Sequence, residues 1–211
     1  MIDQQQTITL LGSAGGAAKA ILSILNQAAV DKKDPIYRFI SRCRIHLVDY
    51  KQKEQAYFYR LFPHLQNRFA FHQFDLKDTK KFVKHLKNTQ STIVIDTSWA
   101  DTVEMLECCN KLGVKYVNTA LENTMVDENE ELYEGFPLME RFRHFEKFKD
   151  QFTNTAAIIG SGMNPGVVQW MAIELLKESG GESPLGCYIV EHDSSFFENK
   201  TKAKENVIYT T

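Results

Sequence analysis

A chain of 211 residues, 43% apolar and 25% charged, carries enough hydrocarbon to bury a full core and has the composition of an ordinary globular domain. Its 25 basic and 27 acidic residues leave a net charge of -2, which denies it the basic footprint of a nucleic-acid binder. The polar opening over residues 1–7 has neither the pattern of a signal peptide nor the apolar length of a membrane span, so the expected location is the cytoplasm, with no membrane partner.

Thr7, Ile8, Thr9, Leu10 and Leu11 form a short β-rich run that ends at Gly12, Ser13, Ala14, Gly15 and Gly16. Residues 17–28 then place apolar side chains at helical spacing. After a charged, turn-forming stretch over 31–35, residues 44–49 read as a second strand that ends in the carboxylate of Asp49. Strand, helix, strand is a parallel crossover unit. The alternation continues with a helix over 53–61, a strand over 69–74, a helix over 79–86 and a strand over 92–96, whose unbroken β-branched run marks it as central. A helix over 102–112 stops at Gly113, suited to a left-handed cap, and a strand over 115–119 follows. Beyond an acidic segment at 127–134, the spacing predicts a helix over 138–152, where the stripe of Phe142, Phe145, Phe148 and Phe152 reads as core packing.

A strand over 155–159 leads into a second glycine-rich turn over 160–166 and a helix over 167–177. Six strands with intervening helices predict an α/β fold with a doubly wound, mostly parallel sheet in the order 3-2-1-4-5-6, the Rossmann arrangement for NAD(P). A break at Gly180, Gly181, Ser183 and Pro184 precedes a further strand over 186–193. The expected organisation is a Rossmann domain over 1–180 and the truncated beginning of an α+β substrate domain over 185–211.

Chemistry concentrates where strands end. The turn formed by Gly12, Ser13, Ala14, Gly15 and Gly16 lets backbone approach a pyrophosphate, while the following helix start offers N–H groups and positive dipole. Gly12, Gly15 and Ala18 fit a looser form of the dinucleotide fingerprint, because Leu10 stands where the strict form has its first glycine. Asp49 is placed to accept from ribose hydroxyls and to repel a 2'-phosphate, favouring NAD over NADP, although Lys51 offers a nearby cation. Asp75 ends the third strand, close to the expected adenine position or as a helix cap. Asp96, Thr97 and Ser98 end the fourth strand at the expected switch point, and Thr119 and Glu122 follow the fifth on the same edge. In the second turn, Gly162, Asn164 and Pro165 bring a hydrogen-bonding side chain and a preset helix start toward the cofactor, beside which Thr119 is also expected.

Cys43, Cys108, Cys109 and Cys187 show no C-x-x-C spacing and read as reduced, mostly buried thiols, and the six histidines are scattered, so no metal is expected. Tyr37, Tyr50, Tyr116 and Tyr188 are followed four positions on by Ser41, Glu54, Ala120 and His192, which disfavours the tyrosine-lysine pair of short-chain dehydrogenases.

The segments Val94-Ile95-Asp96-Thr97-Ser98, Tyr116-Val117-Asn118-Thr119-Ala120-Leu121-Glu122, Gly162-Met163-Asn164-Pro165-Gly166 and Val190-Glu191-His192-Asp193, in this order and spacing, resemble homospermidine synthase within the saccharopine dehydrogenase-like group. The resemblance implies a tightly held NAD, with NADP as the alternative, and an amine oxidised to an imine, exchanged with a second amine and reduced again. It assigns Asp96, Glu122, Asn164 and Glu191 to the polyamine and nicotinamide site, where carboxylates would neutralise protonated amines. His192, where the family more usually has arginine, departs from the pattern. The implied partner is a polyamine or amino-acid substrate, and a homo-oligomer is left open for the full-length enzyme. The family continues with an aromatic residue beyond the end of this chain, which argues against catalysis by these residues alone. A saccharopine-type or carboxynorspermidine-type imine reductase is the runner-up, and a non-catalytic NAD(P)-binding redox sensor is the alternative outside enzymes.

Overall fold

Strand β1 (Thr7–Leu11) is buried at every position, the pattern of a strand covered on both faces. In the computed structural model, which describes residues 6–133, 136–164, 166–180, 184–186 and 188–189, it lies at the centre of a six-stranded sheet. The other strands are β2 (Arg44–Asp49), β3 (Phe69–Gln73), β4 (Ile93–Asp96), β5 (Lys115–Asn118) and β6 (Ala157–Ile158). All neighbours pair in parallel, in the order 3-2-1-4-5-6. The expected doubly wound α/β architecture is therefore the one observed. Because β1 pairs with β2 on one side and β4 on the other, the winding direction reverses between β1 and β4, and a crevice opens beyond their carboxyl ends.

Alternation along the strands divides the core in two. Leu10, Ile45 and Leu47 face one side of the sheet and pack with Ala18, Leu22 and Leu25 of α1 (Gly16–Ala28) and Phe58 of α3 (Gln55–Leu61). Leu11, Val48, Val94 and Tyr116 face the other, against Phe82 and Leu86 of α4 (Thr79–Thr89) and Met105 and Leu106 of α5 (Thr102–Asn110). Each fully buried leucine stabilises the fold by roughly 1.5–3 kcal/mol relative to exposure. Asp78 caps α4 by accepting from the Lys81 N–H at 2.9 Å, and Gly113 takes the left-handed conformation expected of it.

Several local expectations change. A short helix α2 (Tyr37–Ile40) occupies the stretch after the turn-forming residues, and α6 (Thr124–Asp127) with a 3-10 turn (Glu130–Tyr133) takes up much of the acidic segment. Helix α4 runs on to Thr89, and Gln90 closes it at φ 51°. The long helix expected over 138–152 is α7 (Pro137–Phe148) followed by a 3-10 turn (Lys149–Gln151). Its phenylalanine stripe is core only in part: Phe145 and Phe152 pack against the second cluster, whereas Phe142 is 48% exposed. Strand β6 keeps two residues of the five expected, since an edge strand with exposed side chains has one neighbour to hold it.

Cys43, Cys108 and Cys109 are free and buried, as expected of reduced thiols, and burial pushes the first two up to about 11. The chain divides into two compact units, Met1–Gly166 and Val167–Thr211. The described part of the second centres on α8 (Val167–Glu178), with Val168 buried and Trp170 exposed. Pro165, Cys187, Glu191 and most of the strand expected over 186–193 lie outside the described residues. No helix among the described residues is long and apolar enough to cross a membrane.

Candidate functional site

A cleft of about 520 Å³ lies at the carboxyl ends of β1, β2, β3 and β4. That size suits a ligand pocket of roughly 300–1,000 Å³. Gly12, Ala14 and Gly15 of the first turn line it. Gly12 takes φ 71°, and a Cβ there would meet Thr97 O at 2.8 Å and Ser98 N at 2.9 Å, so the turns after β1 and β4 touch backbone to backbone. Thr97 reinforces this contact by donating its hydroxyl to Leu11 O at 2.8 Å. Ser13 is buried under the turn, its N–H donating to Val48 O at 3.2 Å.

Helix α1 starts at the cleft without a side-chain cap and without an acidic residue in its first turn. A Cβ on Gly16 would have no heavy atom within 4 Å, whereas the buried Ala18 lets the helix lie close to the sheet. Uncapped N–H groups facing open space are what a phosphate needs. The residues present therefore fit a dinucleotide pyrophosphate.

Asp49 forms the next wall. Its Oδ2 accepts from the Ala14 N–H at 2.9 Å and its Oδ1 from the Lys51 N–H at 3.0 Å, tying the end of β2 to the glycine turn. Asp75 also lines the cleft, its Oδ1 accepting from the Lys77 N–H at 2.9 Å. The remaining wall comes from the turn after β4, where Thr97, Ser98 and an 83% exposed Trp99 lead to Asp101. Asp101 caps α5 by accepting from the Val103 and Glu104 N–H groups, and its other oxygen accepts from Asn123 Nδ2 at 3.1 Å and the Thr124 N–H at 3.2 Å.

Asp96 lies below this wall and is 3% exposed. Its carboxylate accepts from the Ser98 N–H at 2.9 Å, the Ser98 hydroxyl at 2.6 Å and the Tyr116 hydroxyl at 2.8 Å. Burial pushes its carboxyl up, while the bonds from Ser98 and Tyr116 pull it down. Burial likewise raises the Tyr116 phenol, and the adjacent Asp96 charge raises it further. Thr119 donates its N–H to Asp96 O at 3.2 Å.

Glu122 is 7% exposed and off the cleft wall, with Arg141 at 3.7 Å. Arg141 lies closer to Asp127, at 2.6 Å. Burial raises the Glu122 carboxyl, Arg141 lowers it, and the charges of Asp127 and Asp96 raise it again. In the second turn, Gly162 bridges to Gly166 and Asn164 is exposed, and neither reaches the cleft.

Residues 8–138 match the family model described as the saccharopine dehydrogenase NADP binding domain. The chain belongs to this family. The matched span contains the whole cleft and stops before the second glycine turn. No curated protein matches the chain.

Among solved structures, the chain is similar to the dTDP-glucose 4,6-dehydratase of Bacillus anthracis in complex with NAD, at 10% identity and a TM-score of 0.46, covering 72% of this chain and 53% of that one. WbmG of Bordetella bronchiseptica in complex with NAD gives 13% identity and 0.38, over 57% of this chain and 39% of that one. The UDP-glucose 4-epimerase of Thermotoga maritima with UDP-glucose gives 13% and 0.38, over 55% and 38%. The chain thus spans between 38% and 53% of the length of these proteins.

Within the family's domain, the cleft gathers Gly12, Ala14, Gly15, Asp49, Asp75, Thr97 and Ser98 from the residues expected in the sequence. It adds Tyr50, Phe74, Trp99, Asp101, Glu104 and Thr124, which sequence reasoning did not single out. Asp101 had a signal, a carboxylate immediately before a helix start. Tyr50 and Phe74 each follow a strand end by one residue, a position that carries no signal in the residue type itself.

Proposed function

We propose that the cleft binds a nicotinamide dinucleotide with NAD preferred over NADP, and that the chain is the cofactor-binding part of an enzyme resembling homospermidine synthase. The observation that carries the cofactor preference is Asp49, a carboxylate on the cleft wall already joined to the glycine turn. The N–H groups at the start of α1 hold the pyrophosphate, together with the turn of Gly12, Ser13, Ala14, Gly15 and Gly16. Asp49 accepts from the ribose hydroxyls and opposes a 2'-phosphate by like charge. Asp75 borders the adenine, and Thr97 and Ser98 border the nicotinamide half. The dinucleotide supplies a two-electron acceptor and donor.

The substrate reading rests on the resemblance of the motifs around Asp96, Glu122 and Asn164 to homospermidine synthase. It makes the overall reaction a redox-neutral transfer of an aminoalkyl group between amines, through an imine. Asp96 positions Ser98 and the turn behind it. Glu122, Asn164 and Glu191 belong to the amine side, where carboxylates stabilise protonated amines. In this reading residues 1–180 are the dinucleotide domain and 185–211 begin a substrate domain.

A second reading, an imine reductase using NADPH, is favoured by Lys77 on the cleft wall and Lys51 beside Asp49. Calorimetric titration of the chain with NAD and with NADP separates the two. NAD binding at least tenfold tighter, with the gap closing in Asp49→Asn, is expected. Tighter NADP binding moves the assignment to the reductase, and binding of neither overturns the cofactor site.

A further inference from the structure

The six histidines look scattered along the chain, yet His46, His72 and His85 converge in space. His46 projects from the middle of β2 and His72 from β3, the edge strand, while His85 comes from α4 on the same face of the sheet. His46 Nδ1 and His72 Nε2 are 2.8 Å apart. The ring centroids lie 5.0 Å (His46–His72), 5.7 Å (His46–His85) and 4.6 Å (His72–His85) from each other. One nitrogen from each ring falls within 4.8 Å of the others.

His46 and His85 are buried, and His72 is half-buried at the open edge of the sheet. The hydrogen bond between His46 and His72 requires one of the two facing nitrogens to be bare. His46 Nε2 is buried and has no hydrogen-bond partner among the described residues. An orphaned buried polar atom costs about 1–3 kcal/mol, but an ion held on the Nδ1 side, where His72 lies, does not reach it, so the site rests on the spacing of the three rings.

We propose that His46, His72 and His85 bind one divalent transition-metal ion of the zinc class. Imidazole nitrogens at about 2.0–2.1 Å from a tetrahedral ion lie roughly 3.3–3.4 Å from one another. The 2.8 Å pair and the 4.8 Å limit bracket that spacing, so small rotations of the rings close the site. Thr9 Oγ1, 3.2 Å from His85 Nε2 and itself 2.7 Å from Ser91 Oγ, or a water bonded to it, supplies the fourth donor.

An all-imidazole set without a carboxylate selects zinc, cobalt, nickel or copper ions and rejects magnesium and calcium. Burial holds His46 down to about 4 and His85 to about 3, each ring also lowered by its neighbours' charge, and burial lowers His72. At neutral pH the three rings are uncharged and their lone pairs meet little competition from protons. The half-buried His72 gives an ion its way in. His46 lies in the middle of β2, His72 one residue before the end of β3 and His85 on α4, and none of them lines the cleft, so the ion fastens edge strand β3 and α4 to the sheet and takes no part in the chemistry of the cleft.

Cobalt(II) titration of the full metal-free chain, followed by visible absorption, tests the site. One equivalent should bind with the intense bands of four-coordinate cobalt and no thiolate charge-transfer band, and zinc(II) should displace it. Zinc at about a hundred times its Kd should raise the thermal midpoint by roughly 5–10 °C. His85→Gln and the edge variant His72→Gln should each weaken binding at least tenfold with the far-ultraviolet circular dichroism retained. If His85→Gln does not fold, His72→Gln alone carries the comparison. A six-coordinate spectrum, a thiolate band, or binding undiminished in His72→Gln overturns the proposal.

Discussion

The two glycine-rich turns of this chain do opposite things with their glycines. In the first, Gly12 is pressed against the turn after β4, a Cβ on Gly15 would meet Gly12 O at 3.1 Å, and Gly16 opens on free space beside an uncapped helix start. In the second, the closest contacts are internal: at Gly166, φ 133°, a Cβ would fall 2.1 Å from Gly162 O and 2.6 Å from Gly162 N. The first turn packs its backbone closely at two glycines but leaves space for something else at Gly16, whereas the second folds on itself. Glycine density alone therefore does not mark a ligand site; what lies opposite each missing Cβ does.

Replacing one glycine in each turn tests that contrast most severely. Gly12→Ala forces a side chain into a left-handed backbone already in contact with Thr97 and should cost about 2–4 kcal/mol in urea denaturation, with loss of dinucleotide binding. Gly166→Ala should also destabilise its turn, but leave NAD affinity within about threefold. A tenfold loss there would give the second turn a share in the cofactor site.

Asp49→Ala should weaken NAD about 10- to 100-fold by titration, roughly 1.4–2.8 kcal/mol, and narrow the gap to NADP. An unchanged NAD affinity would remove Asp49 from the ribose site. Smaller still, Tyr116→Phe leaves Asp96 one hydrogen bond short and should lower stability by about 1–2 kcal/mol in denaturant unfolding. Least in size and opposite in sign, Gly16→Ala should raise stability by about 0.5–1 kcal/mol, because the helix gains a better former in open space. If the pyrophosphate lies against this position, the same variant weakens NAD binding while it stabilises the fold, and unchanged affinity would move the phosphate away from it.

The sheet was legible because buried parallel strands carry runs such as residues 93–96 and 44–49 that no helix pattern imitates. The short helices α2 and α6 were not, since a single turn of helix has too few residues to show a period. The cleft was about half legible. Asp49, Asp75, Thr97 and Ser98 follow from their place at strand ends, but their neighbours Tyr50, Phe74 and Trp99 required the loops themselves. Asp96 illustrates the limit: position at a strand end says which edge a residue is near, but not whether its carboxylate turns up into the crevice or down toward Tyr116, as it does here. The histidine cluster escaped for a related reason, since His46 and His72 come together only through the β2–β3 register that pairs Val48 with His72.

The bond from Ala14 N–H to Asp49 bears on how fast a ligand is taken up. A glycine turn free to wander must be caught in one of its rarer shapes before phosphate can dock, and the association rate then reports that search. Here the turn is moored at one end by Asp49 and clasped at the other by the strand β4 turn before any ligand arrives. Capture becomes a matter of encounter, governed by diffusion and by charge at the mouth of the cleft, and differences among dinucleotides should appear in how long each one stays.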